Sequence, residues 1–115
     1  KMIGSEQTRS FCWIQDAVEA TYRIMESSKL TSGIVVHIGN QKGEVKIGHL
    51  YEMVFELCGW TPQQRAECSA PSGDVPRRCP DVKKLKKLTG FEPSTPLRQG
   101  LEPTVKWYLE QSDDP

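Results

Sequence analysis

The spacing of apolar residues predicts a helix in the first quarter of the chain. Asp16 is suited to cap its N-terminus, and the helix is predicted to run to about Ser27. Val18, Tyr22 and Met25 recur at intervals of three or four residues, which places them on one face. We therefore expect an amphipathic helix with one apolar stripe.

The same spacing predicts three further helices. The second covers Ile47–Cys58 and ends at Gly59, and the third covers residues 82–88, with Gly90 as its C-terminal cap. The fourth is predicted to begin at Thr95-Pro96, because a hydroxyl followed by proline is a typical helix start. Pro103 is expected to kink this last helix or to shorten its first turn.

Short runs of β-branched and aromatic residues predict two or three strands. Residues 33–40 form the clearest strand and are followed by a turn, residues 9–14 suit another strand, and an edge strand is expected near residues 65–69. A loop is predicted over residues 27–33. Four helices with so little sheet predict an α+β fold, formed as one lobe by residues 1–115, with some apolar surface buried against a part outside this chain.

Composition limits the classes of function. The chain has 115 residues, 15 basic and 15 acidic side chains and a net charge of zero, so we expect a small domain that binds neither nucleic acid nor membranes. Six basic residues between Arg77 and Lys87 offer a nucleic-acid alternative, which the zero net charge and the lack of a known motif disfavour. No apolar run is long enough to span a bilayer.

The four cysteines contain no C-x-x-C pair, so the sequence gives no support for a zinc site or for any other metal. Two disulfides are possible by count. The N-terminal residues do not resemble a secretory signal, however, and we therefore expect a cytoplasmic protein with reduced thiols that serve as packing residues. The four cysteines are Cys12, Cys58, Cys68 and Cys79.

His37 is expected to be a hydrogen-bonded structural group on a buried strand.

Five motifs follow one another along nearly the whole chain. Each is weak alone, and their order and spacing carry the signal. They are QTRSFCWIQD at 7–16, VHIGN at 36–40, IGHLYEMV at 47–54, RRCPDVKKL at 77–85, and LTGFEP with PLRQGL between 88 and 101.

Together these motifs resemble the C-terminal third of extended short-chain dehydrogenases/reductases, the NAD-dependent nucleotide-sugar epimerases, dehydratases and decarboxylases. The resemblance implies a lobe that binds a nucleotide-diphosphate sugar and closes over a Rossmann domain holding NAD(P). The glycine-rich G-x-x-G-x-x-G loop and the Y-x-x-x-K pair of that family are not in this sequence. We therefore expect a separated part of a longer enzyme, with no catalytic or cofactor-binding residue of its own.

The resemblance assigns two arginines to the pyrophosphate of the substrate. Arg9 lies in the first motif and Arg78 in the fourth, and a guanidinium matches phosphate oxygens two at a time. Thr8 and Arg77 are further candidates for contact with the substrate. In the galactose-epimerase branch of the family the second arginine lies earlier, where this sequence has Pro71, and this departure favours Arg78.

A second function class is open on the sequence alone. A lobe separated from its partner domain exposes apolar surface, so it could act as a free-standing module that forms homo-oligomers or docks on another protein. A concentration-dependent mass would distinguish this module from a monomeric binding lobe. Trp13, Trp60 and Trp107 are interpreted as packing residues rather than as base-stacking groups.

Overall fold

The computed structural model describes residues 1–29 and 33–111. The α+β fold class is confirmed, and the described residues contain the four expected helices. Their bounds differ from the predicted ones by zero to two residues at most ends. They are α1 (Ile14–Glu26), α2 (Ile47–Cys58), α3 (Lys83–Thr89) and α4 (Leu97–Gln111).

The strands are shorter and more numerous than expected, with five of two or three residues among the described residues. The first pairs in parallel with the fourth, and the other three form a sheet in the order third, second, fifth. The edge strand expected near residues 65–69 is confirmed by the fourth strand. The five are β1 (Met2–Ile3), β2 (Thr8–Ser10), β3 (Glu44–Lys46), β4 (Glu67–Cys68) and β5 (Arg77–Arg78).

The chain divides into two compact units. The first unit comprises residues 1–9 and 45–78 together with the chain from residue 98 onward, and the second comprises residues 10–44 and 79–97. Both units are therefore built from segments that are distant in sequence. The assignment of residues 1–115 to a single nucleotide-sugar-binding lobe stays a prediction.

In the first unit, backbone carbonyls of the loop before β2 hold the N-terminus of α2. The N–H groups of Ile47 and Gly48 donate to the carbonyls of Gln7 and Ser5, each at 2.9 Å. These bonds satisfy helix donors that would otherwise have no partner. At the other end Gly59 is left-handed, with φ of 62°, as its predicted role as a terminator requires.

The second unit has a small apolar core. Ala20 of α1 and Leu85 of α3 are fully buried, and Val82 lies beside them. The partly buried side chains that pack against this cluster are Ile24, Val36, Ile38 and Phe91.

The apolar stripe predicted on α1 does not face this core. Val18, Tyr22 and Met25 are 60%, 58% and 76% exposed, because Ala20 and Ile24 occupy the side of the helix that meets the core. The stripe is therefore an uncovered apolar face.

The predicted cap of α1 is also wrong. The helix begins two residues before Asp16, and Trp13 is its N-cap without a side-chain hydrogen bond. The Asp16 carboxylate accepts from the backbone N–H groups of Ser94 and Thr95, at 3.1 and 2.9 Å. The strand predicted over residues 9–14 is also shorter than expected, since β2 ends at Ser10 and α1 begins at Ile14.

Residues 33–40 do not form the predicted strand. In the described part of the chain they pair with no strand, and the Val35 carbonyl accepts instead from the Lys84 ammonium, at 2.8 Å. The β-branched composition of this segment favours an extended chain, but a strand also needs a neighbour. The turn after it is confirmed as a 3₁₀ turn over Gln41–Gly43, whereas residues 30–32 of the predicted loop lie outside the described residues.

A buried asparagine fixes that turn. The Asn40 side chain is 2% exposed; its amide donates to the Thr95 carbonyl at 3.0 Å and its oxygen accepts from the Lys42 N–H at 3.0 Å. Ser10 Oγ donates to the Asn40 carbonyl. These bonds join three segments of the second unit.

The last helix begins at Leu97, one residue after the predicted start, and it is continuous through Pro103. Gly90 has the left-handed conformation expected of a cap, with φ of 71°. Among the described residues, no helix has the length and the apolar character needed to cross a bilayer.

Candidate functional site

The pairing of β2 with β5 brings the predicted site residues together. The strands are parallel, with Thr8 opposite Arg77 and Arg9 opposite Arg78. Successive side chains of a strand point to opposite faces of the sheet, and partners in register share a face. Arg9 and Arg78 therefore leave one face of this sheet, whereas Thr8 and Arg77 leave the other.

The Arg9 guanidinium is held by three acceptors. Nη1 donates to the Thr8 carbonyl at 2.8 Å, and Nη2 donates to Gln7 Oε1 at 3.1 Å and to Asp74 Oδ1 at 3.3 Å. The side chain is only 18% exposed. Its orientation is thus fixed by its neighbours, as a rigid anion-binding group requires.

Asp74 lies close to both arginines. A hydrogen bond from the Gln7 side chain lowers the pKa of the Asp74 carboxyl, and so do the Val75 N–H and the charges of Arg9 and Arg78. The Val75 N–H donates to Asp74 Oδ1 at 2.9 Å. The charges of both arginines therefore act on the Asp74 carboxylate.

A cavity of about 330 Å³ adjoins this group. It is lined by residues 4–7 and 67–70. Gln7 therefore lines the cavity and also accepts a hydrogen bond from Arg9. Gly4 leaves room for this side chain, because a Cβ at Gly4 would lie 2.9 Å from Gln7 Oε1. The backbone at Gly4 also has φ of 63°, which favours glycine.

Sequence reasoning missed the part played by Gln7 and Asp74. Gln7 stood in the first motif without a role, and Asp74 lies in an irregular segment with no periodicity. Nothing in the sequence links Asp74 to Arg9, since the contact depends on the turn in which the Asp74 N–H donates to the Pro71 carbonyl at 3.1 Å.

Other candidate residues are elsewhere. His37 is exposed in the second unit, so its prediction as a buried structural group is wrong. All four cysteines are free thiols, but Cys68 is exposed and does not serve as a packing residue. Trp60 packs edge-on against Phe55, with ring centroids 5.4 Å apart, although it is 58% exposed.

Sequence comparison finds known proteins that are similar to this chain. No family model matches the chain. It is 32% identical over 114 residues to UDP-N-acetyl-alpha-D-glucosaminuronate decarboxylase of Bacillus cytotoxicus, which covers 95% of this chain and 35% of that protein. It is 40% identical over 96 residues to UDP-glucuronic acid decarboxylase 6 of Arabidopsis thaliana, which covers 83% of this chain and 26% of that protein.

A solved structure agrees with these relatives. UDP-glucose 4-epimerase of Thermotoga maritima, determined with UDP-glucose, superposes with a TM-score of 0.81 at 25% identity, over 95% of this chain and 34% of that one. The chain matches the C-terminal part of extended short-chain dehydrogenases/reductases. The predicted family resemblance is confirmed. The chain spans between about a quarter and about a third of the length of the relatives named here.

Proposed function

We propose that this extended-dehydrogenase part binds the diphosphate of a UDP-sugar through Arg9 and Arg78. The observation that carries the proposal is the register of β2 and β5, in which Arg9 stands opposite Arg78. Thr8 and Arg77 lie on the other face and are not assigned to the diphosphate. The choice of a UDP-sugar follows the names of the relatives.

The chemistry of a diphosphate suits this pair. A guanidinium donates two parallel hydrogen bonds to phosphate oxygens, and its charge persists at any working pH. Arg9 is already oriented by the Thr8 carbonyl and by Gln7, so little side-chain entropy is lost when an anion binds. Fixing the diphosphate in this way would position the sugar for reaction elsewhere.

We propose that the reaction itself needs a second, dinucleotide-binding domain of the intact enzyme, which would hold NAD(P) and the Tyr/Lys pair. That enzyme would transiently oxidise a sugar hydroxyl and allow epimerisation, elimination or decarboxylation at the neighbouring carbon. The uncovered stripe on α1 supports this proposal, because Val18, Tyr22 and Met25 form an exposed apolar face that a neighbouring domain could cover. The segment of residues 34–38 supports the same proposal, because it pairs with no strand among the described residues.

The test is calorimetric titration of the chain with UDP-glucose. Arg9→Gln keeps a polar side chain of similar length and removes the charge, and it is expected to weaken binding about tenfold, or about 1.4 kcal/mol. Arg65→Gln is the matched control, because Arg65 lies in the same unit but pairs with Glu52 and stacks over Phe55. Equal affinities of wild type and Arg9→Gln would disprove the proposed diphosphate contact.

Self-association is a second candidate, favoured by the same exposed stripe on α1. Sedimentation velocity over a range of protein concentrations tests it. A mass that rises with concentration, and that Tyr22→Lys returns to the monomer value, would support a module that pairs through this face.

A further inference from the structure

One acidic residue lies among the groups that we assign to diphosphate binding. Asp74 Oδ1 is 3.3 Å from Arg9 Nη2, and the Gln7 side chain hydrogen-bonds to both Arg9 and Asp74. The Asp74 side chain is 32% exposed and therefore accessible to a ligand. An anion that binds to Arg9 and Arg78 must therefore approach a negative charge that is already there.

We propose that Asp74 is a specificity-determining counter-ion, which favours a nucleotide-diphosphate sugar over a nucleoside diphosphate with a free terminal phosphate. This role rests on the proposed function of Arg9 and Arg78. Asp74 reduces the summed charge of the two arginines from +2 to +1. It thereby lowers the affinity for anions of higher charge more than the affinity for anions of lower charge.

The two ligand classes differ in the charge that they bring. In a UDP-sugar both phosphates are esterified, and the diphosphate carries two negative charges. In UDP the terminal phosphate has a second ionisation with a pKa of about 6, which adds close to one further negative charge at neutral pH. Asp74 repels this extra charge, whereas the sugar ester lacks it.

Simple electrostatics gives the size of the effect. The repulsion between Asp74 and one additional ligand charge is that of two unit charges a few ångströms apart at the protein surface. This corresponds to a factor of about three in affinity for each additional charge of the ligand. The effect falls as ionic strength rises, because these groups are partly exposed.

Asp74 also has a structural contact, and the choice of variant separates the two roles. Its Oδ1 accepts from the Val75 N–H, and an asparagine keeps an oxygen for that bond. Asp74→Asn therefore removes the charge while it preserves the shape of the turn. Asp81→Asn is the matched control, since Asp81 is an exposed aspartate that accepts from the Lys83 N–H in the second unit.

The experiment measures Kd for UDP and for UDP-glucose at low ionic strength and pH 7.5. The ratio of Kd for UDP to Kd for UDP-glucose is the readout. We expect Asp74→Asn to lower this ratio about threefold or more, because UDP gains more affinity than UDP-glucose. We expect Asp81→Asn to leave the ratio at its wild-type value. A ratio that is unchanged or higher in Asp74→Asn would overturn the role of Asp74.

A ligand-free measurement tests the counter-ion directly. NMR titration of the Asp74 carboxyl carbon should show that its pKa rises in Arg9→Gln and also in Arg78→Gln. A pKa that moves in neither variant would contradict the shared counter-ion, whatever the ligands do.

The outcomes separate this inference from the proposed function. If Arg9→Gln weakens UDP-glucose binding and Asp74→Asn leaves the ratio unchanged, only the role of Asp74 fails. If Arg9→Gln leaves UDP-glucose affinity unchanged, or if the wild-type chain binds neither ligand, the diphosphate contact fails and the role of Asp74 fails with it.

Discussion

Arg9 and Arg78 are partners in register on two parallel strands, although they come from two segments of the first unit that are distant in sequence. The strand that carries Arg78 has only two residues. A shift of one residue in this pairing would place Arg77 opposite Arg9 and would move Arg78 to the other face of the sheet. The register is therefore the structural basis of the proposed diphosphate site.

Gly4→Ala is expected to weaken UDP-glucose binding several-fold, because the new Cβ would displace the Gln7 side chain that orients Arg9. The change also forces a positive φ on alanine, which costs about 1 kcal/mol of stability. Gly90→Ala is the control, since Gly90 has φ of 71° and open space around it. Titration and urea unfolding of both variants test this; equal UDP-glucose affinities in the two variants would show that Gln7 does not position Arg9.

Glu92 is expected to stabilise the second unit only above acidic pH. A hydrogen bond from Lys86 lowers the pKa of its carboxyl most, and a hydrogen bond from Lys42 lowers it further. Such a group contributes stability that is present above its unfolded pKa of about 4.3 and is lost as pH falls through the lower folded pKa. Urea unfolding should show a constant advantage of wild type over Glu92→Gln above about pH 5, which shrinks towards pH 3. An advantage independent of pH would exclude this ion-pair contribution.

The thiols are expected to react at different rates. Burial raises the pKa of the Cys12 thiol, and the nearby Asp16 charge raises it further, so its reactive thiolate is scarce at neutral pH. Cys68 is exposed. Timed alkylation with iodoacetamide at pH 7.5, followed by peptide mass spectrometry, should modify Cys68 well before Cys12. The reverse order would contradict the described environment of Cys12.

Asn40→Ala is expected to destabilise the chain by about 2 kcal/mol, because it removes a buried side chain and leaves the Thr95 carbonyl and the Lys42 N–H without their partner. Gln41→Ala, at an exposed neighbour, provides the control and should change stability by less than about 0.5 kcal/mol. Urea unfolding at 25 °C measures both, and similar losses would mean that the Asn40 bonds contribute little.

The elements that depend on local chemistry could be predicted from the sequence. Helix α2 was predicted with its observed bounds, because its apolar spacing and the terminating Gly59 are both local signals. The segment of residues 33–40 could not be predicted correctly, since a strand depends on a partner as well as on β-branched residues. The exposure of the stripe on α1 could not be predicted for a similar reason: spacing shows that side chains share a face, but not what covers that face.

The candidate site was also only partly predictable from local sequence. Its arginines were found through motifs, whereas Gln7 and Asp74 became visible only through contacts in the folded chain. Periodicity carries no information on a contact between a strand and an irregular turn.

The central claim is that one face of the β2–β5 pair binds a diphosphate, and neighbouring arginines of β5 test it most directly. Arg78→Gln is expected to weaken UDP-glucose binding about tenfold, whereas Arg77→Gln, on the opposite face, is expected to stay within about twofold of wild type. Titration calorimetry at one ionic strength measures both. An equal loss in the two variants, or a larger loss in Arg77→Gln, would contradict the account.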